Sequence, residues 1–425
     1  EQYLWIIPIV CSFAKEKKIS KIYFEKIPKR EKLTSENLKL LEEFEINEIE
    51  SKNVLKKKLL MLYYMIKNLN IFTYIFFNLN KDKLLSKEVS WTNLQFLHGT
   101  WDDINLNRDE NNNLKVSFKK KILSILKGIY QMEFGKKLLK FGIKYYFISH
   151  IVYEKRWLIS YLRQHNVQIF TQSFTNIHRQ KKNYDVAWSD INSKIVKKLK
   201  KSKKVVEKYW SNRISGRGNY SASNESVLSK KNKKIKLYKN HNLILLHIFR
   251  DSPFREIDKN RIFVDYFDWF ETTLKIIKKS SENWFIKIHP IYKRWGEDQP
   301  KIVKILLNNV FNKNIPKNIK IIYNYPKLEL FKNANRIITF SGTSAIESVV
   351  FGKKPIVICK TIMERLDKKS VFRPKSLKDY ENLLLRKNFF NNDKNKISLA
   401  KRIIYARENI YTIRNLLGND DITEM

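Results

Sequence analysis

Continuous apolar runs and helically spaced apolar residues alternate along the second half of the chain. Runs of strand length lie at 243–246, 284–288, 319–323, 336–340 and 355–358, and helical patterns lie between them at 261–278, 299–310, 328–332 and 343–351. Strands that are buried on both faces are apolar at nearly every position, and they alternate with the helices that cover them. The pattern therefore predicts an α/β fold with a doubly wound parallel sheet.

The first half is also predicted to be mixed α/β, but its turn and loop signals between elements are weaker. A strand is predicted at 22–24, helices at 33–44 and 51–77, and a polar loop at 105–114. A clearer β–α–β step follows, with strands at 145–148 and 167–171 around a helix at 153–165. Such a step is the unit from which parallel sheets are built.

A change in composition separates the two halves. A lysine-rich helix at 194–209 precedes a Ser-Gly-Arg-Gly turn at 215–218, then a Ser/Asn-rich stretch and a lysine run. Such polar segments are typical of domain boundaries. We predict an N-terminal α/β domain at 1–195, a basic linker at 196–240, a Rossmann-like domain at 241–390, and a C-terminal helix at 391–425 that packs back towards the N-terminal domain.

The chain is strongly basic, with 84 Lys and Arg residues against 42 Asp and Glu residues and a formal net charge of +42. Abundant Lys, Asn and Ile together with scarce Gly and Pro are typical of an AT-rich genome, which accounts for much of this excess. Attraction to anionic lipid remains under either interpretation. The lysines are dispersed and no nucleic-acid-reading module is present, so we expect no specific nucleic-acid partner.

The cysteine count and the apolar stretches bear on the cellular compartment of the protein. The two cysteines, Cys11 and Cys359, are too few for a disulfide framework, which fits a reducing cytoplasm. The chain begins at Glu1 in an apolar run, so we expect that residues precede it. Polar residues interrupt the long apolar stretch 59–79, which therefore predicts a buried or interfacial helix rather than a membrane span.

The first candidate site is the Phe340-Ser-Gly-Thr-Ser-Ala-Ile-Glu347 segment. A strand ends there, a turn follows at Ser341 and Gly342, and a helix begins at Thr343. The free N–H groups of a helix start bind phosphate, and glycine permits its close approach. Thr343 or Ser344 is expected to cap the helix, and Glu347 to accept hydrogen bonds from a ribose.

Two further stretches are expected at the same edge of the sheet. In Ile286-Lys-Ile-His-Pro290, the proline takes the chain out of the sheet, so His289 lies at the carboxyl end of a strand with Lys287 beside it. In His247-Ile-Phe-Arg-Asp-Ser-Pro253, Arg250 is a candidate phosphate ligand and Asp251 a candidate acid or base.

The first half offers weaker candidates. Asp102 and Asp103 of the His98-Gly-Thr-Trp-Asp-Asp103 stretch are candidate bases that would activate an acceptor, and Ser149-His150 follows a predicted strand. No GxGxxG, P-loop, GxSxG or His-x-x-x-His zinc pattern occurs, and no acidic pairs have clear metal-ligand spacing. We predict no metal and no cofactor.

Together these motifs resemble those of capsule polysaccharide biosynthesis proteins, which are GT-B transferases related to capsular Kdo transferases. The resemblance covers about residues 205–360 and rests on the following stretches: Tyr209-Trp-Ser-Asn-Arg-Ile-Ser-Gly216, Leu245-Leu-His-Ile-Phe-Arg-Asp-Ser-Pro253, Asp265-Tyr-Phe-Asp-Trp269, Trp284-Phe-Ile-Lys-Ile-His-Pro290, Thr339-Phe-Ser-Gly-Thr-Ser-Ala-Ile-Glu347 and Gly352-Lys-Lys-Pro355. Ile288 precedes His289 where a proline is more usual in the family.

The resemblance implies a GT-B-like fold of two Rossmann-like domains with a cleft between them. It implies a metal-independent, cytoplasmic glycosyltransferase that moves a sugar from a nucleotide donor, such as a CMP-linked one, to a glycan or glycolipid of the cell envelope. The donor would be held by His289, Ser341, Gly342, Thr343 and Glu347. Peripheral contact with the anionic inner membrane fits this role.

Three other functions compete with this one. A teichoic-acid-type polyol-phosphate transferase shares the His-Pro, but an Asp-Tyr-Ser-Ser turn would be expected where this chain has Phe340-Ser-Gly-Thr. A sugar-nucleotide 2-epimerase would have paired glutamates near Glu347, where only one is present. A basic nucleic-acid-binding protein is a more distant alternative, which the net charge alone favours.

Overall fold

The computed structural model describes residues 2–24, 35–48, 54–108, 116–148, 151–173, 176–179, 193–215, 217, 240–254, 260–323, 327–386, 391–406 and 409. The predicted linker stretch 218–239, the loop 109–115, Ser149-His150 and the end of the last helix lie outside these residues.

The first half contains ten helices and five strands among the described residues. They are α1 Gln2–Glu16, β1 Lys21–Phe24, α2 Ser35–Glu42, β2 Glu45–Glu48, α3 Val54–Lys67, α4 Leu69–Asn78, α5 Lys81–Leu85, α6 Trp91–Leu106, α7 Phe118–Lys140, β3 Tyr145–Ile148, α8 Lys155–Gln164, β4 Gln168–Ser173, β5 Asn176–Arg179, α9 Ser193–Lys198 and α10 Lys203–Ile214.

The second half alternates regularly between strands and helices. Its elements are β6 His241–Leu245, α11 Tyr266–Ile277, β7 Trp284–Lys287, a 3-10 turn Tyr292–Trp295, α12 Gln299–Phe311, β8 Ile319–Ile322, α13 Lys327–Asn333, β9 Ala334–Thr339, α14 Thr343–Val350, β10 Ile356–Val357, α15 Ile362–Leu366, a 3-10 turn Lys368–Ser370, α16 Leu377–Leu385 and α17 Lys394–Tyr405.

A five-stranded parallel sheet in the order β10-β9-β6-β7-β8 organises the second half. Successive side chains of a strand point to opposite faces. Ile244 and Ile286 accordingly join a core with Trp269 of α11 on one face, while Leu243 and Phe285 join a second cluster on the other. The sheet is thus buried on both faces, as its apolar strands predict.

Two small sheets belong to the first half. β1 and β2 pair in parallel, and a three-stranded sheet has the order β3-β4-β5, with β3 and β4 parallel and β5 antiparallel. The described structure is therefore mixed α/β with parallel sheets, as the sequence predicts. Most of the remaining first half is helical, with α6, α7 and α8 enclosing the core around Trp157.

The single helix predicted at 51–77 is instead two helices, α3 and α4, which meet at 86°. Asn68 lies at the break, and its buried side-chain amide donates to the Tyr64 carbonyl oxygen at 2.8 Å and to Glu133 Oε1 at 3.0 Å. A side chain that bonds nearby backbone competes with continued helix. The bond to Glu133 on α7, which sequence periodicity does not reveal, fixes the bend.

Two other predicted helices take a different form in the structure. The helix predicted at 194–209 is divided into α9 and α10 by a turn at 199–202. The described part of the last helix, α17, packs on α14 and on these two helices, and Lys401 bonds Glu207 at 2.5 Å. The segment predicted to be a linker therefore contributes, in its described part, to the core beneath α14.

Candidate functional site

The site lies at the carboxyl edge of the five-stranded sheet, where the order of the strands reverses. The chain runs from β6 to β7 and β8 on one side, then crosses over to β9 and β10 on the other side of β6. In open α/β sheets, ligands bind outside the carboxyl ends of the strands at such a switch point. Here the switch point lies between β6 and β9, so the loops after these strands are its walls.

The turn at Ser341 and Gly342 leaves β9 and leads directly into α14. Gly342 has φ 91° and ψ −168°, a conformation available essentially to glycine alone. A Cβ atom at this position would lie 3.3 Å from His247 Cε1. Gly342 itself occupies the cap position of α14, so the predicted capping by Thr343 or Ser344 is wrong, and no cap side chain stands before the first turn.

His247, which follows β6, lies against this turn. Its Nε2 is 2.8 Å from the Ser341 carbonyl oxygen and 3.2 Å from the Ser341 amide nitrogen, so its tautomer decides which bond forms. Its ring stacks on Tyr266 at 5.1 Å between centroids. The contact joins the two walls of the switch point and fixes the turn. The sequence pattern indicated Arg250 and Asp251 in this stretch but not His247, which has no proline after it as His289 does.

His289 follows β7, the next strand of the sheet. The Ile291 amide donates to His289 Nδ1 at 3.4 Å, so the proton of the neutral ring belongs on Nε2, which is then a donor. The His289 amide donates to Gln299 Oε1 at 2.6 Å, and Gln299 Nε2 donates to the His247 carbonyl oxygen at 2.6 Å. One side chain at the start of α12 thus ties the ends of β6 and β7 together.

Glu297 is a buried carboxylate that the sequence did not reveal. It is 3% exposed, it accepts from the Arg250 amide at 3.0 Å and from Gln299 Nε2 at 2.9 Å, and the Phe249 amide bonds it too. Burial raises the pKa of its carboxyl group to about 7. It therefore fixes the loop that carries Arg250, and it titrates near neutral pH.

This pKa predicts a pH dependence of stability. Because the carboxyl group of Glu297 titrates at about 7 when folded and at 4.5 ordinarily, the folded state holds the proton more tightly. The contribution of Glu297 to the free energy of unfolding should be fully present below pH 4.5 and be lost, by about 3 kcal/mol, as the pH rises through 7. Urea unfolding of wild-type protein and Glu297→Gln across this range measures the effect.

The difference between the two proteins isolates Glu297, because Asp102, whose pKa is raised by burial to about 6, titrates in both. Equal pH slopes in wild-type protein and Glu297→Gln would contradict the prediction.

Glu347 lies in the second turn of α14 and is 4% exposed. Its Oε1 accepts from Arg213 Nη2 of α10 at 2.8 Å, in an ion pair whose two side chains are both almost fully buried. Arg213 belongs to the stretch 209–216 that resembles the capsule proteins. The pair gives Glu347 a positioning role between α10 and α14, whereas its contact with a ribose stays a prediction.

The other predicted donor contacts differ in accessibility. Ser341 is buried and Thr343 and Ser344 are half-buried at the start of α14. Lys287, the last residue of β7, is 4% exposed, which places its side chain within the protein rather than at the rim. Arg250 is half-buried, and its guanidinium donates to the carbonyl oxygens of Gly296 and Arg108, each at 3.3 Å.

The three candidate bases lie in different surroundings. Asp251 is half-buried, and its Oδ1 accepts from the Ser252 amide at 2.8 Å. Asp103 points towards α7, where Ser124 Oγ donates at 2.5 Å and Lys127 Nζ at 3.0 Å. Of the three, Asp251 alone combines partial exposure with a position in the loop after β6.

Asp102 is fully buried at the contact between the two halves of the chain. It accepts from Arg156 Nε at 3.3 Å, from the Phe254 amide at 3.3 Å and from Ser252 Oγ, and it is 0% exposed. A general base must reach the proton that it abstracts. This geometry favours a positioning role for Asp102 over the predicted base, and Asp103, at 2% exposure, is similarly enclosed.

No group of three or more His, Cys, Asp or Glu side chains that could hold a metal ion occurs in the part of the chain that the structure describes. None of the described helices is, by itself, long and apolar enough to cross a membrane, although the bent pair α3 and α4 passes the same test of length and composition when taken together.

No protein-family model and no curated protein matches this chain. Among solved structures, it is similar to the β-Kdo 2,4-transferase KpsC of Thermosulfurimonas dismutans, with 9% identity over 61% of this chain and 78% of that one and a TM-score of 0.35. It is also similar to the UDP-GlcNAc 2-epimerase of Methanocaldococcus jannaschii, with 15% identity over 69% of this chain and 83% of that one and a TM-score of 0.29.

A second structure of this epimerase, in complex with UDP-GlcNAc and UDP, gives 17% identity over 70% of this chain and 83% of that one, with a TM-score of 0.26. With identities this low, a function has to be argued from the site itself.

Proposed function

We propose that the protein is a GT-B-type glycosyltransferase that binds a nucleotide-activated sugar at the β6–β9 switch point. One observation carries the proposal: the glycine turn before α14 meets His247 there, and His289 follows β7, the strand next to β6. Backbone N–H groups at a helix start and two imidazoles at one sheet edge suit a pyrophosphate or phosphate group. The motif resemblance to capsule polysaccharide enzymes names the reaction class.

In this reaction the bond between the anomeric carbon of the sugar and the donor phosphate breaks, and the acceptor hydroxyl oxygen bonds to that carbon. The nucleotide leaves with the electron pair, and the hydroxyl proton passes to a base. The N-terminus of α14 and the Nε2–H of His289 would stabilise the charge that develops on the departing phosphate. Asp251 is our candidate for the base, since it is the accessible carboxylate of the three.

The same proposal assigns the acceptor to the first half of the chain, across a cleft from the donor. The acceptor would be a glycan or glycolipid of the cell envelope, and the enzyme would work in the cytoplasm without a metal. The donor classes that the proposal covers are sugars activated by CMP, UDP, GDP or CDP.

Thermal unfolding in the presence of CMP, UDP, GDP and CDP tests the proposal. A nucleotide at about 100 times its Kd should raise the free energy of unfolding by about 2.7 kcal/mol. His289→Ala should weaken binding roughly tenfold to a hundredfold, because a hydrogen bond to a charged group is lost. Glu347→Gln, which keeps the side-chain shape beside Arg213, should weaken it as well if the ribose contact exists.

His165→Ala is the matched control, because His165 is an exposed histidine at the end of α8, outside the five-stranded sheet. Its nucleotide response should equal that of the wild-type protein. Absence of any nucleotide response, together with tight and salt-sensitive nucleic-acid binding, would refute the transferase. Conversion of a nucleotide sugar to its isomer without an acceptor would favour the 2-epimerase instead.

A further inference from the structure

One face of α3 exposes a continuous apolar stripe. Leu55, Leu59, Leu62, Tyr63 and Ile66 are each at least 50% exposed. At 3.6 residues per turn these five side chains fall within roughly 100° of the helix circumference. The opposite face of the helix, which includes Tyr64, packs towards α7. The helix is therefore apolar on both sides, although only one side has a protein neighbour among the described residues.

Exposed apolar side chains also occur on the two neighbouring helices. Leu69 and Phe77 of α4 and Phe118 and Leu123 of α7 are also exposed, and Phe118 meets Phe76 edge-on at 5.6 Å between centroids. We call these nine side chains, five on α3 and four on α4 and α7, the apolar ridge. They are nine of the fifteen large hydrophobic side chains that are exposed in the described part of the chain. Patches of this kind mark interaction sites.

Lysines border the ridge, and acidic residues are missing from its sequence. On the helical wheel of α3, Lys58 flanks the stripe on one side and Lys56 flanks it on the other. Lys67, further round the helix, pairs with Glu133 of α7 at 3.1 Å. Residues 54–79 and 116–132 contain four lysines each and no Asp or Glu. Lysine stems can lie along an apolar surface while their ammonium groups extend away from it. A protein partner would need acidic side chains all around the ridge to match these lysines. An anionic bilayer presents negatively charged headgroups to every one of them.

We propose that the apolar ridge is a membrane-docking surface, which inserts its aliphatic and aromatic side chains into the headgroup region of a bilayer that contains anionic lipid. The ridge lies parallel to the bilayer plane rather than across it, with the lysines on either side of α3 at the level of the lipid phosphates. This inference does not depend on the donor site, which is built from other residues. It gives a physical reason why exposed apolar side chains are concentrated on these helices.

Vesicle flotation of the full chain tests the surface. The protein should float with vesicles of phosphatidylcholine mixed with phosphatidylglycerol and only weakly with phosphatidylcholine alone. Leu59→Glu combined with Ile66→Glu should weaken binding roughly tenfold or more for each side chain withdrawn from the bilayer. Lys56→Gln combined with Lys58→Gln should weaken it about fivefold per lysine and reduce its salt dependence.

Val205→Glu is the matched control, since Val205 is an apolar side chain of similar exposure on α10, away from the ridge. It should float like the wild-type protein. Every variant should keep the melting temperature and the nucleotide response of the wild type, which separates failure of this proposal from failure of the transferase or of the fold.

Three results would overturn the docking surface. They are flotation of the Leu59→Glu, Ile66→Glu protein at the wild-type level, equal binding to neutral and anionic vesicles, and ridge-dependent self-association in gel filtration without vesicle binding. The last result would show that a second copy of the chain covers the ridge.

Discussion

Replacing Asp102 with alanine is expected to lower the free energy of unfolding by about 3–5 kcal/mol. The carboxylate is fully buried and accepts from Arg156, Ser252 and the Phe254 amide. Its removal takes away the carboxylate that the Arg156 guanidinium, itself 1% exposed, bonds at 3.3 Å. Urea denaturation near neutral pH measures the loss, and an unchanged dependence on urea concentration would show that the unfolded state is unaffected.

A double variant separates the ion pair from the packing around it. Asp102→Ala combined with Arg156→Met removes both charges, so it should be less destabilised than Asp102→Ala alone, because no buried charge is left uncompensated. Asp103→Ala is the second comparison. Its partner Lys127 is 33% exposed, so solvent can replace the lost bond and the cost should be smaller. A change below about 1 kcal/mol in Asp102→Ala would contradict the role that we assign to this residue.

Replacing Gly342 with alanine should remove nucleotide binding. The φ of 91° and ψ of −168° cost any other residue about 1–3 kcal/mol, and the new Cβ would press on His247. The turn can relieve this strain only by rotating the N–H groups that we expect to hold the phosphate. We therefore expect stability to fall by that amount and nucleotide affinity to fall at least tenfold, as measured by nucleotide titration of folded protein.

Gly142→Ala provides a control with the same kind of backbone strain. Gly142 has φ 71°, and nothing lies within 4 Å of a Cβ added there. It should lose about 1–2 kcal/mol of stability, as expected for a left-handed residue, and keep its nucleotide response. Wild-type affinity in Gly342→Ala would show that the phosphate lies elsewhere.

The five-stranded sheet and the Ser341-Gly342 turn could be predicted from the sequence because both depend on patterns of neighbouring residues. Strands such as 284–287 are continuous apolar runs, and the Ser341-Gly342 turn is a local break between a strand and a helix. Parallel pairing then brings His247, His289 and Gly342 to one edge of the sheet, since the carboxyl ends of β6, β7 and β9 are adjacent. The prediction that His289 and the Ser341-Gly342 turn share one edge of the sheet followed from this rule.

The features that the sequence did not predict depend on contacts between distant residues. Glu297 lies in a short polar segment without a motif. Its carboxylate is bonded by the amides of Arg250 and Phe249, which are distant from it in sequence. The pairing of Glu347 with Arg213 spans 134 residues. A weak signal did exist for Arg213, because the 209–216 stretch stood out as family-like, but nothing local indicated its partner.

The predicted role of Asp102 changed for the same reason. The sequence offers Asp102 or Asp103 as a base, and the structure places both residues on α6. On a helix, however, neighbouring side chains point about 100° apart. Asp102 therefore meets Arg156 and Ser252 while Asp103 meets Ser124 and Lys127. The sequence shows that two carboxylates are present, but it does not show which side chains each of them will contact in the fold.

The bonds of Asp102 also bear on how the gene can be divided. Arg108 Nη2 and Trp101 Nε1 of the first half both donate to Asp265 Oδ2 of the second, and Asp102 draws its donors from both halves. Cutting the chain between residues 217 and 240 would expose buried polar groups that bond each other across the contact between the halves. Each separate fragment would then carry polar groups without their hydrogen-bond partners on its contact surface. The two halves are therefore best encoded and expressed as one chain.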